Sequence, residues 1–178
     1  VFFGGSDSTN QTQKALEALK LLDRPDIGVD VVVGAANPNR NAIQVLCDQL
    51  PNVTFHCQAS NMAELILNAD LGIGAGGATT CERCCLGLPT ITVVFADNQL
   101  QTTLDLANFG AVLFLDWANK VSAAQLALSI ESLMTNVTLL DNLSSKSSLL
   151  MKDWVGTEAI TAAMDRVLII DSGANDGC

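Results

Sequence analysis

Short apolar runs rich in β-branched residues alternate with amphipathic stretches along this chain, and this alternation constrains its fold more than any other feature. The run at 29–33 has the apolar character of a strand covered on both faces, whereas Ala15, Leu16 and Leu19 recur on one side of a helix. Such alternation indicates β-α units, and therefore an α/β fold in which helices cover both faces of a parallel sheet. The pattern predicts strands at 1–3, 29–33, 53–57, 71–75, 90–95 and 112–115, and helices at 9–22, 40–50, 62–68, 79–86, 99–108, 122–134, 138–151 and 157–168.

The length of the chain and its opening residues bear on domain organisation. Its 178 residues are enough for one domain with a sizeable core. No linker or internal repeat divides them, so we expect one domain over 1–170 and a disordered polar tail over 171–178. Residues 1–3 have the character of the inner end of a strand and lack the basic segment of a signal peptide. We therefore expect a cytoplasmic protein of which this chain is one part.

The composition excludes several classes of protein. Apolar residues make up 49 % and charged residues 16 %, which excludes a disordered chain. No apolar run reaches the roughly 18 residues that a membrane span needs. The net charge of −10 argues against a nucleic-acid partner, because phosphates are bound by clustered Lys and Arg. An acidic chain can still bind a small anion through backbone amides, helix N-termini or a few placed donors.

The loop at 74–80 carries the strongest functional signal. A strand runs into Gly76 and Gly77, and hydroxyl residues and a helix follow. Glycines allow close approach of the backbone to a ligand, and a helix N-terminus offers unpaired N–H groups to a diphosphate. Glu82, about one turn into the helix, could accept two hydrogen bonds from a ribose diol. We expect the loops that follow the strands to share one edge of the sheet, since ligands of such folds bind beyond the carboxyl ends of the strands.

The same residues also have a purely structural interpretation. Two glycines can close a tight turn, Thr79 or Thr80 can cap the helix instead of binding phosphate, and the helix dipole alone favours Glu82. No Lys follows the glycines, which excludes a Walker A loop. The segment does not follow a first strand, and no later strand with an acidic ribose ligand is placed as a G-x-G-x-x-G fingerprint requires.

Two further loops carry polar or glycine residues. Asp97, Asn98 and Gln99 follow a strand. Either these side chains contact sugar hydroxyls or an N-acetyl group, or Asp97 or Asn98 only caps the next helix. The segment Gly-Gly-Ser-Asp at 4–7 either approaches a ligand or is only a turn.

The histidine and cysteines give little support to a catalytic or metal site. His56 is the only histidine; it lies in an apolar strand without an evident acidic partner, and we expect a core or edge residue rather than a general base. Cys81, Cys84 and Cys85 lack a second Cys pair or His at zinc-site spacing, so we expect small apolar side chains and no metal site.

Taken in order, these segments resemble one family of enzymes. They closely resemble the C-terminal lobe of the UDP-2,4-diacetamido-2,4,6-trideoxy-β-L-altropyranose hydrolases of pseudaminic acid biosynthesis, which are relatives within the glycosyltransferase-B superfamily. The resemblance covers roughly residues 1–165, and its most specific part is Glu-Arg-Cys-Cys-Leu-Gly-Leu-Pro at 82–89. The other matching segments are 3–7, 33–38, 60–65, 69–70, 74–77 and 97–99.

The resemblance implies a Rossmann-like lobe that binds a UDP-sugar. The enzyme would be an inverting hydrolase that releases UDP and a free sugar for nonulosonic acid and surface polysaccharide synthesis. Its catalytic histidine would belong to an N-terminal lobe absent from this chain. Neither a metal nor a cofactor is implied, because amides and a helix dipole take that role. The implied contacts are uracil with Asn61 and Met62, ribose with Glu82, diphosphate with Gly76, Gly77, Ala78 and Thr79, and sugar with Asn98, Gln99, Gly5 and Ser6.

One departure from the family leaves the substrate open. Cys81 stands where the family has Trp, so the pocket wall beside Glu82 differs. Three other functions also remain open: the donor lobe of a UDP-dependent glycosyltransferase, a non-catalytic UDP-sugar-binding module, and a scaffold with a vestigial site. The face that would meet the N-terminal lobe, if uncovered, would favour a homodimer.

Overall fold

The computed structural model describes residues 1–154, with side chains described through residue 150. Its helices are α1 (Gln11–Leu22), α2 (Arg40–Asp48), α3 (Met62–Leu67), α4 (Thr79–Cys85), α5 (Asp97–Phe109), α6 (Ala123–Thr135) and α7 (Val137–Trp154), and its strands are β1 (Val29–Val33), β2 (Val53–Cys57), β3 (Gly72–Ala75), β4 (Thr90–Val94) and β5 (Leu113–Trp117). The sequence predicted all of these within a few residues, whereas the strand predicted at 1–3 is only an isolated parallel bridge between Phe2 and Gly74. The helix predicted at 157–168 and the tail at 171–178 lie outside the described residues. Of the helices that are described, none is long and apolar enough to cross a membrane.

Parallel strands form the centre of the fold. β1 pairs with β2, while β4 lies between β3 and β5. The opening residues join these two groups, because the Phe2 N–H donates to the Ile73 carbonyl and the Val32 N–H donates to the Val1 carbonyl, both at 2.9 Å. The resulting order is β2, β1, residues 1–3, β3, β4, β5. The order switches between residues 1–3 and β3, and this is where ligands bind in folds of this kind.

Helices cover both faces of the sheet, as the alternating pattern predicted. One face carries α1, α2 and α6, where Leu16 and Ile43 pack against Val31 and the core continues to Leu133. The other face carries α4 and α5, where Cys84 packs against Leu106. Each large apolar side chain buried in this way contributes about 1.5–3 kcal/mol to folding.

Glycines on β3 make room for an arginine. Successive residues of a strand point to opposite faces, so Ile73 and Ala75 enter the core beneath α1 and α6 while Gly72 and Gly74 face α4. A Cβ at Gly74 would overlap the Phe2 carbonyl oxygen and would lie 2.6 Å from Nη1 of Arg83, which is closer than such atoms can approach. The glycine is therefore needed for residues 1–3 to pair with β3 and for the Arg83 side chain to lie across the strand.

Asp7 determines where α1 begins. Its buried carboxylate accepts hydrogen bonds from the backbone N–H groups of Gln11 and Thr12, both at 2.8 Å, and from the Thr12 hydroxyl at 2.6 Å. These bonds satisfy donors that the first turn of a helix leaves free. The sequence pattern predicted a start at residue 9, but the helix starts at Gln11.

Candidate functional site

A cleft opens where the carboxyl ends of the first strands meet. It has a volume of about 440 Å³, and its lining includes Gly5, Gly34, Gln58 and Met62. Gly5 and Met62, which the resemblance assigned to the sugar and the uracil, therefore share one cleft. It lies on the β1 side of the switch in strand order, with the loop after β3 on the other side.

Two glycines bring the first loops of this edge together. A Cβ at Gly34 would overlap the backbone of Gly5, lying 2.6 Å from its Cα. Gly34 must therefore be glycine for the loop at 4–6 to reach the cleft. A Cβ at Gly5 would meet nothing within 4 Å, so its backbone is open. Ser6 is exposed beside the cleft and does not line it.

The two glycines after β3 have different surroundings. A Cβ at Gly76 would overlap Oγ1 of Thr103 and lie 3.1 Å from Cγ1 of Val94, so the packing of α5 requires a glycine there. A Cβ at Gly77 would have Nε2 of Gln99, at 3.8 Å, as its nearest neighbour. The sequence did not distinguish Gly76 from Gly77, but only Gly77 leaves its backbone open to a ligand.

The first turn of α5 lies next to Gly77. Its N-cap residue is Ala96, and no side chain caps the helix, so the alternative in which Asp97 or Asn98 caps it is wrong. Both of these side chains are exposed. Oε1 of Gln99 accepts a hydrogen bond of 3.1 Å from the Phe95 N–H, which holds the amide group with its Nε2 donor beside Gly77.

The threonines at the start of α4 do not have the capping role that the sequence suggested for them. Ala78 is the N-cap residue, and neither threonine caps the helix. The buried Thr80 hydroxyl donates to the Ala75 carbonyl at 2.8 Å and accepts from Nη2 of Arg83 at 3.0 Å. Thr80 therefore stabilises the turn from inside the protein and is not available to phosphate. Ala78 is exposed and Thr79 is half-buried.

The remaining predicted residues lie on α3 and α4. A groove of about 400 Å³ is lined by Met62, Thr79 and Arg83, among others. Met62 therefore lines both this groove and the cleft. Glu82 is exposed, and within the described residues its carboxylate has no hydrogen-bond partner. Asn61 precedes α3, and its Nδ2 donates to Oε2 of Glu64 at 3.1 Å.

His56 has an acidic partner that the sequence did not reveal. Nε2 of His56 lies 2.6 Å from Oδ1 of Asp30 on the neighbouring strand. The register pairs Asp30 with Thr54, two residues before His56, so the two side chains share a face of the sheet. β2 is the edge strand and the His56 side chain is partly exposed, which agrees with an edge histidine. It does not line the cleft.

The cysteines of α4 pack as small apolar groups, as expected. Cys84 is fully buried, and Cys81 and Cys85 pack against the same cluster. Burial raises the pKa of the Cys84 thiol to about 12 and also raises that of Cys81. These thiols therefore stay protonated at neutral pH and are poor nucleophiles and ligands. Within residues 1–150, no three His, Cys, Asp or Glu side chains are arranged to hold a metal ion.

Sequence reasoning missed the burial of Arg83. Only 4 % of this residue is exposed, yet the motif at 82–89, to which it belongs, did not suggest a role for its charge. A signal was available in the two glycines of β3, since alternate glycines on a buried strand leave space for a large side chain from a covering helix.

Several solved structures share this fold. MurG from Acinetobacter baumannii matches with a TM-score of 0.67 at 22 % identity, over 83 % of this chain and 44 % of that one. The catalytic domain of the cholesterol-α-glucosyltransferase from Helicobacter pylori matches with a TM-score of 0.62 at 14 % identity, over 86 % of this chain and 98 % of that one. The fold is that of the C-terminal lobe of glycosyltransferase-B proteins, which confirms this part of the predicted resemblance.

The amino-acid sequence assigns the chain to one family among proteins of this fold. The profile of the glycosyltransferase family 28 C-terminal domain matches residues 1–155, and the chain belongs to that family. The spore coat polysaccharide biosynthesis protein SpsG of Bacillus subtilis is 29 % identical over 140 residues, which are 78 % of this chain and 41 % of that protein. An uncharacterized protein of Methanocaldococcus jannaschii is 36 % identical over 104 residues, 57 % of this chain and 21 % of that protein. The chain thus spans less than half the length of these curated relatives.

Proposed function

We propose that this chain binds the UDP portion of a nucleotide sugar as one lobe of a two-lobed enzyme. The observation that carries the proposal is the open backbone of Gly77 beside a switch in strand order. No protein contact requires a glycine at this position, so its missing side chain leaves room for a ligand. Membership of the glycosyltransferase family 28 C-terminal domain supports the same conclusion.

The diphosphate would bind the backbone from Gly77 to Thr79, together with the uncapped first turn of α5 and Nε2 of Gln99. The N–H of Gly76 already donates to the Val93 carbonyl at 2.9 Å. The acidic charge of the chain, −10, makes neutral donors of this kind necessary. The exposed Glu82 carboxylate has no partner among the described residues, and it would accept hydrogen bonds from the ribose hydroxyls. Asn61 and Met62 would contact uracil, and Asn98, Gly5 and Ser6 would lie toward the sugar.

The reaction that we propose is hydrolysis. Water attacks C1 of the sugar, the bond from C1 to the diphosphate oxygen breaks, and UDP and the free sugar leave. The general base that accepts the proton of water would belong to an N-terminal lobe. The segment 82–89 supports this activity through its resemblance to the sugar hydrolases. Transfer of the sugar to an acceptor hydroxyl is the second candidate, and the family to which the chain belongs favours it.

Calorimetric titration with uridine, UMP and UDP tests the binding proposal. We expect affinity to rise with each phosphate, because charge-assisted hydrogen bonds contribute about 1.5–3 kcal/mol each. Equal affinity for the three ligands, or no binding of UDP, would contradict a diphosphate site in this chain.

Isotope labelling separates the two reactions in the two-lobed protein. In ¹⁸O water a hydrolase incorporates ¹⁸O at C1 of the free sugar and releases UDP without an acceptor. UDP release that occurs only with an acceptor, and without ¹⁸O in the sugar, would replace the hydrolase by a transferase.

A further inference from the structure

Arg83 lies inside the protein directly behind the loop that follows β3. Only 4 % of the residue is exposed. Its Nη2 donates to the Ala75 carbonyl at 2.8 Å and to the Thr80 hydroxyl at 3.0 Å. Its Nε is buried and has no hydrogen-bond partner among residues 1–150, so these residues leave the guanidinium incompletely satisfied.

No carboxylate forms an ion pair with Arg83 among the described residues, although the charge of Glu82 raises the pKa of Arg83 against the larger effect of burial. Glu82, the adjacent acid in the sequence, is exposed, and the neighbouring Cys84 thiol is neutral at pH 7 because burial raises its pKa to about 12. Burial lowers the pKa of Arg83 itself to about 10, so the guanidinium remains charged at neutral pH. The ion pairs of residues 1–150 are Arg24–Asp26, His56–Asp30 and Lys120–Asp116.

An unpaired buried cation is costly for folding alone. Replacing such a group by an apolar side chain of similar volume is often neutral or stabilising. In a chain with 19 acidic residues and nine Lys and Arg, a buried Arg without a carboxylate is therefore better explained by an anion that comes from outside the fold.

The position of Arg83 identifies that anion. The carbonyl to which it donates belongs to Ala75, the last residue of β3, and Gly76 and Gly77 follow directly. Because consecutive Cα atoms are about 3.8 Å apart, an anion at the Gly77 backbone would lie within about 10 Å of the guanidinium. Because Arg83 is only 4 % exposed, water screens its charge less than it would at the surface.

We propose that Arg83 is a positioning residue that supplies the counter-charge for the diphosphate from behind the loop. It acts through its electric field, without touching the ligand. This inference rests on the proposed binding of UDP, and it deepens that proposal by explaining how so acidic a chain selects a ligand with two phosphates over a nucleoside.

Titrations of Arg83→Met, Arg83→Gln and Arg83→Lys with UDP and uridine, at one pH and ionic strength, test this role. With an effective dielectric constant of about 20, a unit charge at about 10 Å changes affinity by roughly tenfold. We expect Arg83→Met to weaken UDP binding by about that factor while uridine binding changes less than about threefold. Arg83→Lys, which keeps the charge, should retain most of the preference for UDP.

Each outcome bears on one of the two proposals. If the parent chain does not prefer UDP over uridine, both fail. If the parent prefers UDP and Arg83→Met keeps that preference, or if Arg83→Lys loses as much of it as Arg83→Met, the counter-charge is overturned and the UDP site stands. An equal loss for UDP and uridine would mean that Arg83 only stabilises the fold. If Arg83→Met does not fold, Arg83→Gln takes its place as the neutral variant. If neither neutral variant folds, loss of the preference for UDP over uridine in Arg83→Lys overturns the inference.

Discussion

Alanine substitutions at the two glycines after β3 should separate binding from folding. A methyl group at Gly77 would have its nearest neighbour at 3.8 Å, an ordinary contact with Nε2 of Gln99. Gly77→Ala should therefore fold as well as the parent chain. A methyl group at Gly76 would overlap Oγ1 of Thr103, so Gly76→Ala should be destabilised.

The expected magnitudes differ clearly. Overpacking of this kind costs about 1–3 kcal/mol, which lowers the melting temperature of a domain of this size by roughly 2–10 °C. Gly77→Ala should change the melting temperature little or raise it slightly, because alanine restricts the unfolded chain. Its UDP affinity should fall by about 10- to 100-fold, which corresponds to one lost charge-assisted hydrogen bond.

Thermal unfolding by circular dichroism and calorimetric titration with UDP measure the two effects. The double variant Gly76→Ala with Thr103→Ala serves as a control, since removing Oγ1 should restore part of the stability if this overlap is the cause. Parent-like UDP affinity in Gly77→Ala would refute the close approach of the ligand, and parent-like stability in Gly76→Ala would refute the packing argument.

Three other predictions concern single side chains. Glu82→Gln should weaken UDP binding by about 1–3 kcal/mol without changing the melting temperature, since Glu82 is exposed. Titration with UDP measures this beside the exposed control Glu131→Gln, and equal affinities of the two variants would remove Glu82 from the site. Asp7→Ala should lower the free energy of unfolding by about 2 kcal/mol, because the carboxylate caps α1; denaturant titration beside Asp48→Ala checks it, and equal losses would deny the cap. In the native chain a thiol reagent should label the exposed Cys57, as detected by peptide mass spectrometry. The fully buried Cys84 should react only after unfolding, since burial raises its pKa, and rapid labelling of Cys84 would contradict its core position.

Local sequence patterns were sufficient to predict the elements of this fold. The bounds of β1 and β2 match the prediction because β-branched runs there end at glycine, proline or polar residues. The bounds at the start of α1 were wrong because the capping residue, Asp7, reaches four and five residues forward, which a pattern of apolar residues does not show.

Contacts between distant segments could not be predicted in the same way. The pair of His56 with Asp30 depends on the register of β1 against β2. The different surroundings of Gly76 and Gly77 depend on how α5 approaches the loop after β3, since Thr103 meets only the first of them. The sequence therefore predicted the residues of a candidate site, and left open which of them serve packing and which remain available to a ligand.

The pairing of residues 1–3 with the strands on either side bears on how the molecule folds. β1 and β2 lie near each other in sequence, as do β3, β4 and β5, so each group can form by local folding. In the part of the chain that the structure describes, backbone hydrogen bonds join the two groups through this segment, from Val32 to Val1 and from Phe2 to Ile73. Since residues 1–3 pair with Ile73 over a long sequence separation, we expect this pairing to form after the two groups. Native-state hydrogen exchange should find the Phe2 and Val32 amides opening together, and the same opening would separate the loop at Gly5 from the loop at Gly77.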